Sequence, residues 1–158
     1  MRVGVISDTH GDIASTCDAV RVFESLAVAQ VLHCGDVGGQ GVVEAFSQWP
    51  THFVAGNTDS LPELRKLVAA AGQHFHELLA RLEIDGRRIA VLHGDNARLM
   101  RQALDEDFDL ICCGHTHVNE VYWNGETLVV NPGAIHRALH PSVALVELTS
   151  LQVTSVPL

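Results

Sequence analysis

The sequence predicts a mixed α/β fold in which two β-sheets, each with parallel and antiparallel strands, pack between outer helices as an αββα sandwich. The chain has 158 residues, the length of one ordinary domain. Its first half alternates short apolar runs with helical patterns, as parallel βαβ units do. Its second half carries Asp85-Gly86 and Asn124-Gly125, which are strong signals for hairpin turns between antiparallel strands. We therefore expect residues 1–158 to form a single domain.

Three strands, each followed by a helix, are predicted in the first half. The strands are expected at residues 3–7, 30–33 and 51–55. Asp12 is the candidate N-cap of the first helix. The inward positions of that helix, at helical spacing, are Ile13, Cys17, Val20 and Ala27. The second helix follows the Gly-rich turn at residues 38–41 and stops at Pro50, and the third runs from Ser60 to Gly72.

The second half is predicted to be dominated by hairpins. Residues 80–84 would pair with residues 88–92, and residues 120–123 with residues 127–130. A helix at residues 97–104 and a strand at residues 110–113 lie between these hairpins. The chain would end in a further hairpin, formed by residues 143–148 and 152–156. Mixed strand directions with helices on the outside are typical of two stacked sheets.

Charge and hydropathy exclude several classes of protein. Lys and Arg number 10 against 19 Asp and Glu, a net charge of −9, and the basic residues form no run that could follow a phosphate backbone. Binding to long nucleic acid is therefore disfavoured. No apolar run approaches the roughly 20 residues of a membrane span, and the N-terminus has no signal-peptide layout. We expect a soluble cytoplasmic protein without membrane contact.

Side chains that can bind metal ions recur where predicted strands end, which is where α/β sheets place ligand sites. The five fragments are Asp8-Thr9-His10, Gly35-Asp36, Gly56-Asn57-Thr58-Asp59, His93-Gly94 and Gly114-His115-Thr116-His117. In an extended segment, residues two apart point to the same side, so Asp8 and His10 could coordinate one ion. His115 and His117 have the same spacing. Any one fragment could be an ordinary turn, but five together predict a metal site.

The types of these side chains narrow the metal chemistry. Imidazole and carboxylate without cysteine favour Mn²⁺, Fe²⁺, Zn²⁺, Co²⁺ or Ni²⁺ over Mg²⁺ or Ca²⁺. Seven candidate ligands are too many for one open catalytic ion, but they suit two ions that share the carboxylate of Asp36. Two such ions, offset by two carboxylates and a bridging hydroxide, leave about one positive charge at the site. Such a centre attracts a phosphate group.

The motifs Asp-x-His, Gly-Asp, Gly-Asn-x-Asp, His-Gly and Gly-His-x-His, in this order between residues 8 and 117, resemble those of the calcineurin-like metallophosphoesterases. The Gly-His-Thr-His form and residues 131–133, Asn-Pro-Gly, are similar to the small YfcE-type phosphodiesterase branch. The resemblance implies the metallophosphoesterase fold and a dinuclear centre, with Mn²⁺ the first candidate for both ions. It assigns the first ion to Asp8, His10, Asp36 and His117. It assigns the second ion to Asp36, Asn57, His93 and His115, which are also the implied catalytic residues.

The implied activity is hydrolysis of small phosphodiesters, or of activated phosphomonoesters, by a hydroxide that bridges the two ions. Many family members carry His after Gly-Asn, where it can protonate the leaving oxygen, but this chain has Thr58. A Thr hydroxyl is a poor general acid, so we expect a preference for good leaving groups. Asp95 and Ala134 also depart from the family pattern, at positions that bear on substrate contacts. Candidate substrate-binding residues are Thr58, Asp59 and Arg137.

Other interpretations remain open from the sequence. The family resemblance includes the retromer scaffold subunit, so a non-catalytic protein-interaction scaffold of the same fold is the alternative function, and a metal-binding regulatory protein is a third. Asp59 could orient a ligand histidine or serve as a helix N-terminal carboxylate. Exposed hairpins could pair in a homo-oligomer. His33, His52, His74 and His76 are interpreted as structural or exposed, with His74 and His76 able to face one side together.

Overall fold

The computed structural model describes residues 1–158 and confirms the predicted architecture of two mixed sheets with helices outside them. The strands are β1 Arg2–Ile6, β2 Gln30–His33, β3 Thr51–Phe53, β4 His74–Phe75, β5 Leu79–Ile84, β6 Arg87–Leu92, β7 Leu110–Cys112, β8 Asn119–Asn124, β9 Thr127–Pro132, β10 Ser142–Glu147 and β11 Gln152–Pro157. The helices are α1 Ile13–Ser25, α2 Gln40–Ala45, α3 Leu61–Ala70 and α4 Ala97–Asp105. None of the helices combines the length and apolar character that crossing a bilayer requires.

Strand order explains how the two halves of the chain combine. The first sheet has the order β11-β10-β1-β2-β3-β4, and the second has the order β5-β6-β7-β9-β8. Strands β1 to β3 run parallel, as the βαβ pattern predicted, and β4, which was not predicted, adds a fourth parallel strand. The terminal hairpin β10–β11 extends their sheet with antiparallel strands. The second sheet joins parallel β6, β7 and β9 to two antiparallel edge strands.

Three apolar layers hold the sandwich together. Between the sheets, Val5 and Leu32 of the first sheet belong to the same buried cluster as Val91 and Val130 of the second. A second cluster covers the outer face of the first sheet, and a third lies between α4 and the second sheet. A strand that is buried on both faces appears in the sequence as a continuous apolar run, so its position can be predicted from the sequence.

The inward face of α1 agrees only in part with the prediction, in that Val20 is half-buried against the core. Its buried residues are Thr16, Ala19 and Phe23, whereas Ile13 is 44% exposed and Ala27 lies beyond the helix end. The helix turns this way because the Phe23 ring packs against Gly4, where an added Cβ would come within 2.8 Å of the ring. The predicted cap is confirmed, since the Asp12 side chain accepts a hydrogen bond from the Ser15 backbone N–H.

The two predicted hairpin turns differ in detail. Ile84 pairs with Arg87, which leaves Asp85-Gly86 as a two-residue turn with both residues at positive φ, as in type I′. In the other hairpin Asn124 belongs to the strand and pairs with Thr127, so the turn is Gly125-Glu126. Only Gly125 of that turn has positive φ, which fits type II′. The observed turn thus begins one residue later than the predicted Asn124-Gly125 turn.

Candidate metal centre

The candidate ligands lie in five loops at one edge of the sandwich. In parallel β1 and β2, Ile6 is opposite His33, so the loops that carry Asp8 and Asp36 leave the sheet side by side. In the other sheet Val91 is opposite Cys112, which brings the loops after β6 and β7 together in the same way. The carboxyl ends of both sheets therefore meet at one site.

One cluster consists of Asp8, His10 and His117, whose ligand atoms lie within 4.8 Å of one another. Nε2 of His117 is 3.1 Å from Oδ1 of Asp8, and Nε2 of His10 is 3.8 Å from the same oxygen. These three residues are ones that the family resemblance assigned to the first ion.

A second cluster consists of Asp8, Asp36 and His93, again with ligand atoms within 4.8 Å of one another. Nε2 of His93 lies 3.4 Å from Oδ2 of Asp36 and 3.1 Å from Oδ1 of Asn57. The ring of His115 packs edge-on against the ring of His93, with centroids 5.1 Å apart. The structure thus brings together around His93 the residues assigned to the second ion.

Asp36 lies between the two clusters. Its Oδ2 is 3.5 Å from Nε2 of His10 and 3.4 Å from Nε2 of His93, while Oδ1 accepts a hydrogen bond from the backbone N–H of Thr58. Burial acts to raise the pKa of this carboxyl, but the hydrogen bonds from His93 and Thr58 outweigh burial and hold the pKa well below its usual range. Asp36 is therefore ionised at neutral pH and lies between the imidazoles of the two clusters.

The buried carboxylate of Asp8 indicates that the residues of this site fit a metal ion. Its side chain is fully buried, and Oδ1 has no hydrogen-bond donor of suitable geometry, whereas Oδ2 accepts from the backbone N–H of His115. A buried carboxylate oxygen without a partner is costly, and a cation coordinated there would remove the cost. The imidazole, carboxylate and amide donors around it suit a divalent transition ion, so the site fits the metal centre that the family implies.

His93 is fixed in the orientation that a ligand histidine needs. Its ring is 2% exposed, and Nδ1 lies 2.8 Å from the backbone carbonyl of Cys34, to which it donates, so Nε2 faces Asp36 and Asn57. Burial alone would lower the pKa of His93, but the Asp36 carboxylate and the Cys34 carbonyl raise it.

The backbone geometry of the ligand loops differs from the prediction. The extended segments that the sequence predicts would point Asp8 and His10 to one side, and likewise His115 and His117. Five candidate ligands instead have left-handed backbone conformations, with φ between 45° and 70°: Asp8, His10, Asp36, His115 and His117. Such conformations are unfavourable for residues other than Gly, and they cluster at functional sites where the surrounding structure enforces them. Consecutive tight turns, rather than strand alternation, aim these side chains inward.

Asp59 makes contacts that neither the ligand-orienting nor the helix-terminal interpretation predicts. Its carboxylate accepts hydrogen bonds from the backbone N–H groups of Val37, Gly38 and Gly56, at 2.9 to 3.1 Å, and it orients no ligand histidine. Asp59 therefore joins the loop that carries Asp36 to the loop that carries Asn57. The other two candidate substrate-binding residues, Thr58 and Arg137, have exposed side chains.

Two buried polar residues near the site were missed by sequence reasoning. Thr9 is fully buried, and its hydroxyl donates to the carbonyl of Val37. Asn131 is 5% exposed, and its amide donates to the carbonyl of Gly114 and to the hydroxyl of Thr116, which fixes the His115–His117 loop. The only sequence signals were their positions, Thr9 inside the Asp-x-His motif and Asn131 before Pro-Gly.

Residues 1–151 match the calcineurin-like phosphoesterase superfamily domain. Among curated proteins, the chain is 28% identical over 140 residues to phosphodiesterase MJ0936 of Methanocaldococcus jannaschii, an alignment that covers 84% of this chain and 83% of the relative. These matches confirm the resemblance found in the motifs.

Solved structures show the same fold. An archaeal phosphodiesterase superposes with a TM-score of 0.90 at 23% identity, over 100% of both chains. YfcE, a phosphoesterase from E. coli, gives a TM-score of 0.73 at 19% identity, over 99% of this chain and 98% of YfcE. Vps29 from Entamoeba histolytica gives 0.71 at 20% identity, over 100% of this chain and 99% of Vps29.

Proposed function

Because this chain belongs to the calcineurin-like phosphoesterase superfamily and is a hydrolase of phosphoric ester bonds, we propose that it hydrolyses small phosphodiesters, or activated phosphomonoesters, at a dinuclear metal centre. Manganese is the first candidate for both ions, and Fe²⁺, Zn²⁺, Ni²⁺ and Co²⁺ are compatible with the same donors.

The observation that carries this proposal is the position of Asp36 between His10 and His93, with one carboxylate oxygen 3.5 Å and 3.4 Å from their Nε2 atoms. A carboxylate at nearly equal distances from two imidazole groups can coordinate two cations at once. The unpartnered Oδ1 of Asp8 supplies further negative charge on the same side.

The first ion would be held by Asp8, His10, Asp36 and His117, and the second by Asp36, Asn57, His93 and His115. The ions, when bound, would supply an activated water for in-line attack and neutralise charge on the phosphoryl oxygens. The chain itself keeps the donors rigid, because the Cys34 carbonyl orients His93 and the Asp59 carboxylate fixes the loops that carry Asp36 and Asn57. This preorganisation is the part of the catalysis that the protein provides.

The substrate class follows from the surroundings of Asn57. The next side chain is the exposed Thr58, whose hydroxyl cannot protonate a leaving oxygen effectively at neutral pH. A cleft of about 170 Å³ opens beside it, lined by Gly38, Gly39, Thr58, Asp59, Ser60 and Glu63 among others. A cleft of this size suits a small ester group, so we propose that substrates are small and have good leaving groups.

The test is hydrolysis of bis(p-nitrophenyl) phosphate and p-nitrophenyl phosphate by metal-stripped protein, with each divalent ion restored in turn. We expect metal-dependent turnover that Asp36→Asn abolishes and that Asp107→Asn, a change at a fully exposed carboxylate, leaves unchanged. Turnover by Asp36→Asn at the rate of the unaltered enzyme would contradict the proposal.

The alternative is a non-catalytic interaction scaffold of the same fold, and the Vps29 likeness keeps it open at the level of the fold. A scaffold has no need for an ionised carboxylate between two imidazoles or for a buried, unpartnered oxygen on Asp8. Absence of turnover with every ion, in protein that folds normally and binds metal, would favour the scaffold or a metal-binding regulatory role.

A further inference from the structure

Three histidines outside the metal centre lie together on one face of the first sheet. Strand β3 pairs in parallel with β4 so that His52 is opposite His74. His76 follows two residues later, and its backbone N–H continues the ladder by donating to the carbonyl of Phe53, so His76 and His74 point to the same side. The three rings stack, with centroids 4.7 Å apart for His52 and His74 and 5.1 Å apart for His52 and His76.

This group, the His52–His74–His76 cluster, lies beside a cleft away from the catalytic loops. His52 is paired with Leu32, a residue of the layer between the sheets, so the cluster faces that layer where it opens at the edge of the sandwich. A cleft of about 400 Å³ runs between this edge and strand β5, with His52, His74 and the exposed Glu83 in its lining. Gln30, at the start of β2, and Pro50, just before β3, also line this cleft. Asn57 of the metal centre follows the other end of β3, so the cleft and the metal centre lie at opposite ends of that strand.

We propose that the His52–His74–His76 cluster is a second binding site for one divalent transition ion of the zinc class, separate from the phosphoesterase centre. A His-x-His pair on one strand with a third His opposite on the neighbouring strand places three imidazoles on one side of a sheet. Three imidazoles with an open fourth position form one of the ligand sets in which zinc is held.

The hydrogen bonds of His52 prepare it as a ligand. Nε2 of His52 lies 3.3 Å from the side-chain oxygen of Gln30, which only accepts, so Nε2 carries the proton. Nδ1 of His52 is left with a lone pair, which faces Nε2 of His76 at 2.9 Å. Metal-bound histidines characteristically donate their other N–H to an oxygen in this way, which fixes the tautomer.

The protonation state of the cluster also suits a cation. Burial, together with repulsion from charge on His76 and His74, lowers the pKa of His52 to about 4. Burial and His74 lower the pKa of His76 as well. Both rings are therefore neutral near pH 7, and a cation need not displace a net proton from either. In His76 the proton only moves from Nε2 to Nδ1.

The ion requires little movement of His52 and His76 and a rotation of the His74 ring. Two nitrogens on a tetrahedral zinc ion lie roughly 3.3 Å apart, given Zn–N bonds of about 2.0 to 2.1 Å. The nitrogens of His52 and His76 are already 2.9 Å apart and need to separate by a few tenths of an ångström. His74 must move further, because its ring is stacked on that of His52 and no choice of one nitrogen from each ring brings all three nitrogens within 4.8 Å of one another. The His74 ring is exposed, so it can rotate about its own torsions to present the third nitrogen.

The experiment is to count the zinc ions that the full chain retains after saturation and gel filtration. In an Asp8→Ala, Asp36→Ala background, which removes two ligands of the phosphoesterase centre, we expect one tightly held equivalent to remain. Adding His74→Ala should weaken its binding at least 10-fold, and adding both His74→Ala and His76→Ala should abolish it. His140→Ala, at an exposed histidine elsewhere, should have no effect.

The catalytic centre is the control for this test. In the otherwise unaltered protein, His74→Ala together with His76→Ala should lower the zinc content by one equivalent while leaving the rate of bis(p-nitrophenyl) phosphate hydrolysis unchanged. Zinc content that is the same with and without His74 and His76 would overturn the proposal, whatever the enzymatic activity.

Discussion

Gly56 and Asp36 are in such close contact that no side chain fits between them. A Cβ atom on Gly56 would lie 2.1 Å from Oδ1 of Asp36 and 2.5 Å from its backbone nitrogen. Real Cβ atoms do not approach other atoms so closely, so any larger residue must displace the carboxylate that lies between His10 and His93. The glycine of the Gly-Asn-x-Asp motif is therefore explained by the position of Asp36.

Gly56→Ala should reduce metal-dependent phosphodiester hydrolysis by at least 100-fold, because the methyl group pushes the Asp36 carboxylate away from the site. The measurement is turnover at saturating metal together with the number of ions bound. Gly41→Ala is the matched control, since its Cβ would contact only the side chain of the partly exposed Ile13. Full activity of Gly56→Ala would show that Asp36 does not need its observed position.

Asp59→Asn should loosen the two loops that carry Asp36 and Asn57. The carboxylate accepts three backbone N–H groups, and an amide, with one accepting oxygen and an NH₂ facing the donors, cannot replace it. We expect a loss of about 1 to 3 kcal/mol in the free energy of unfolding, measured by urea denaturation, and a weaker affinity for the second ion. Glu63→Gln, an exposed neighbour in the same cleft, is the control and should change neither quantity. Unfolding and metal affinity that are both unchanged in Asp59→Asn would contradict this role.

Much of the site could be predicted because its chemistry is carried by short motifs at strand ends, and strand ends are recognisable from apolar runs. The family resemblance that these motifs carry divides the ligands between two ions, and the structure groups His117 with Asp8 and His115 with His93. The register of the parallel strands then brings the loops to one edge without further information.

The errors arose where tertiary packing decides a local choice. The face of α1 was partly wrong because Gly4 has no side chain and so leaves room for the Phe23 ring, a tertiary contact between β1 and α1. The extended backbone expected around Asp8 was wrong because the surrounding loops impose left-handed conformations at five ligands. Asp and His are enriched in that conformation, but the enrichment is too weak to identify particular positions from the sequence. The role of Asp59 could not be found, since its donors are backbone groups of another loop.

Thr58→His should extend the range of substrates. The family resemblance places a protonating histidine at this position, and proton transfer to a leaving group contributes about 10²- to 10⁴-fold where the leaving group is poor. We expect at least a 10-fold faster hydrolysis of phenyl or alkyl phosphodiesters, and a much smaller change for p-nitrophenyl esters, which leave without a proton. Thr58→Ser keeps the hydroxyl and should behave as the unaltered enzyme. Equal acceleration of both substrate classes would contradict the explanation.

His33 makes the stability of the metal-free chain depend on pH. Its ring is fully buried and accepts the Gly35 N–H at Nδ1, while Nε2 donates to the Thr9 hydroxyl, whose own proton goes to the carbonyl of Val37. Both ring nitrogens are thus satisfied only in the neutral form. Burial, with added repulsion from His93, lowers the pKa of His33 from 6.5 to about 3.

The sign of the effect follows from proton counts. Below pH 6.5 the unfolded chain binds a proton at His33, whereas the folded chain does not bind one until the pH approaches 3. Because protons bind preferentially to the unfolded chain in this range, the free energy of unfolding falls as the pH decreases toward 3. One such group gives a slope of at most about 1.4 kcal/mol per pH unit. Urea unfolding of the metal-free protein at several pH values between 6.5 and 4.5 should therefore show a shallower slope for His33→Gln than for the exposed His140→Gln. Identical slopes would mean that His33 accepts a proton in the folded chain, which the Gly35 N–H facing Nδ1 opposes.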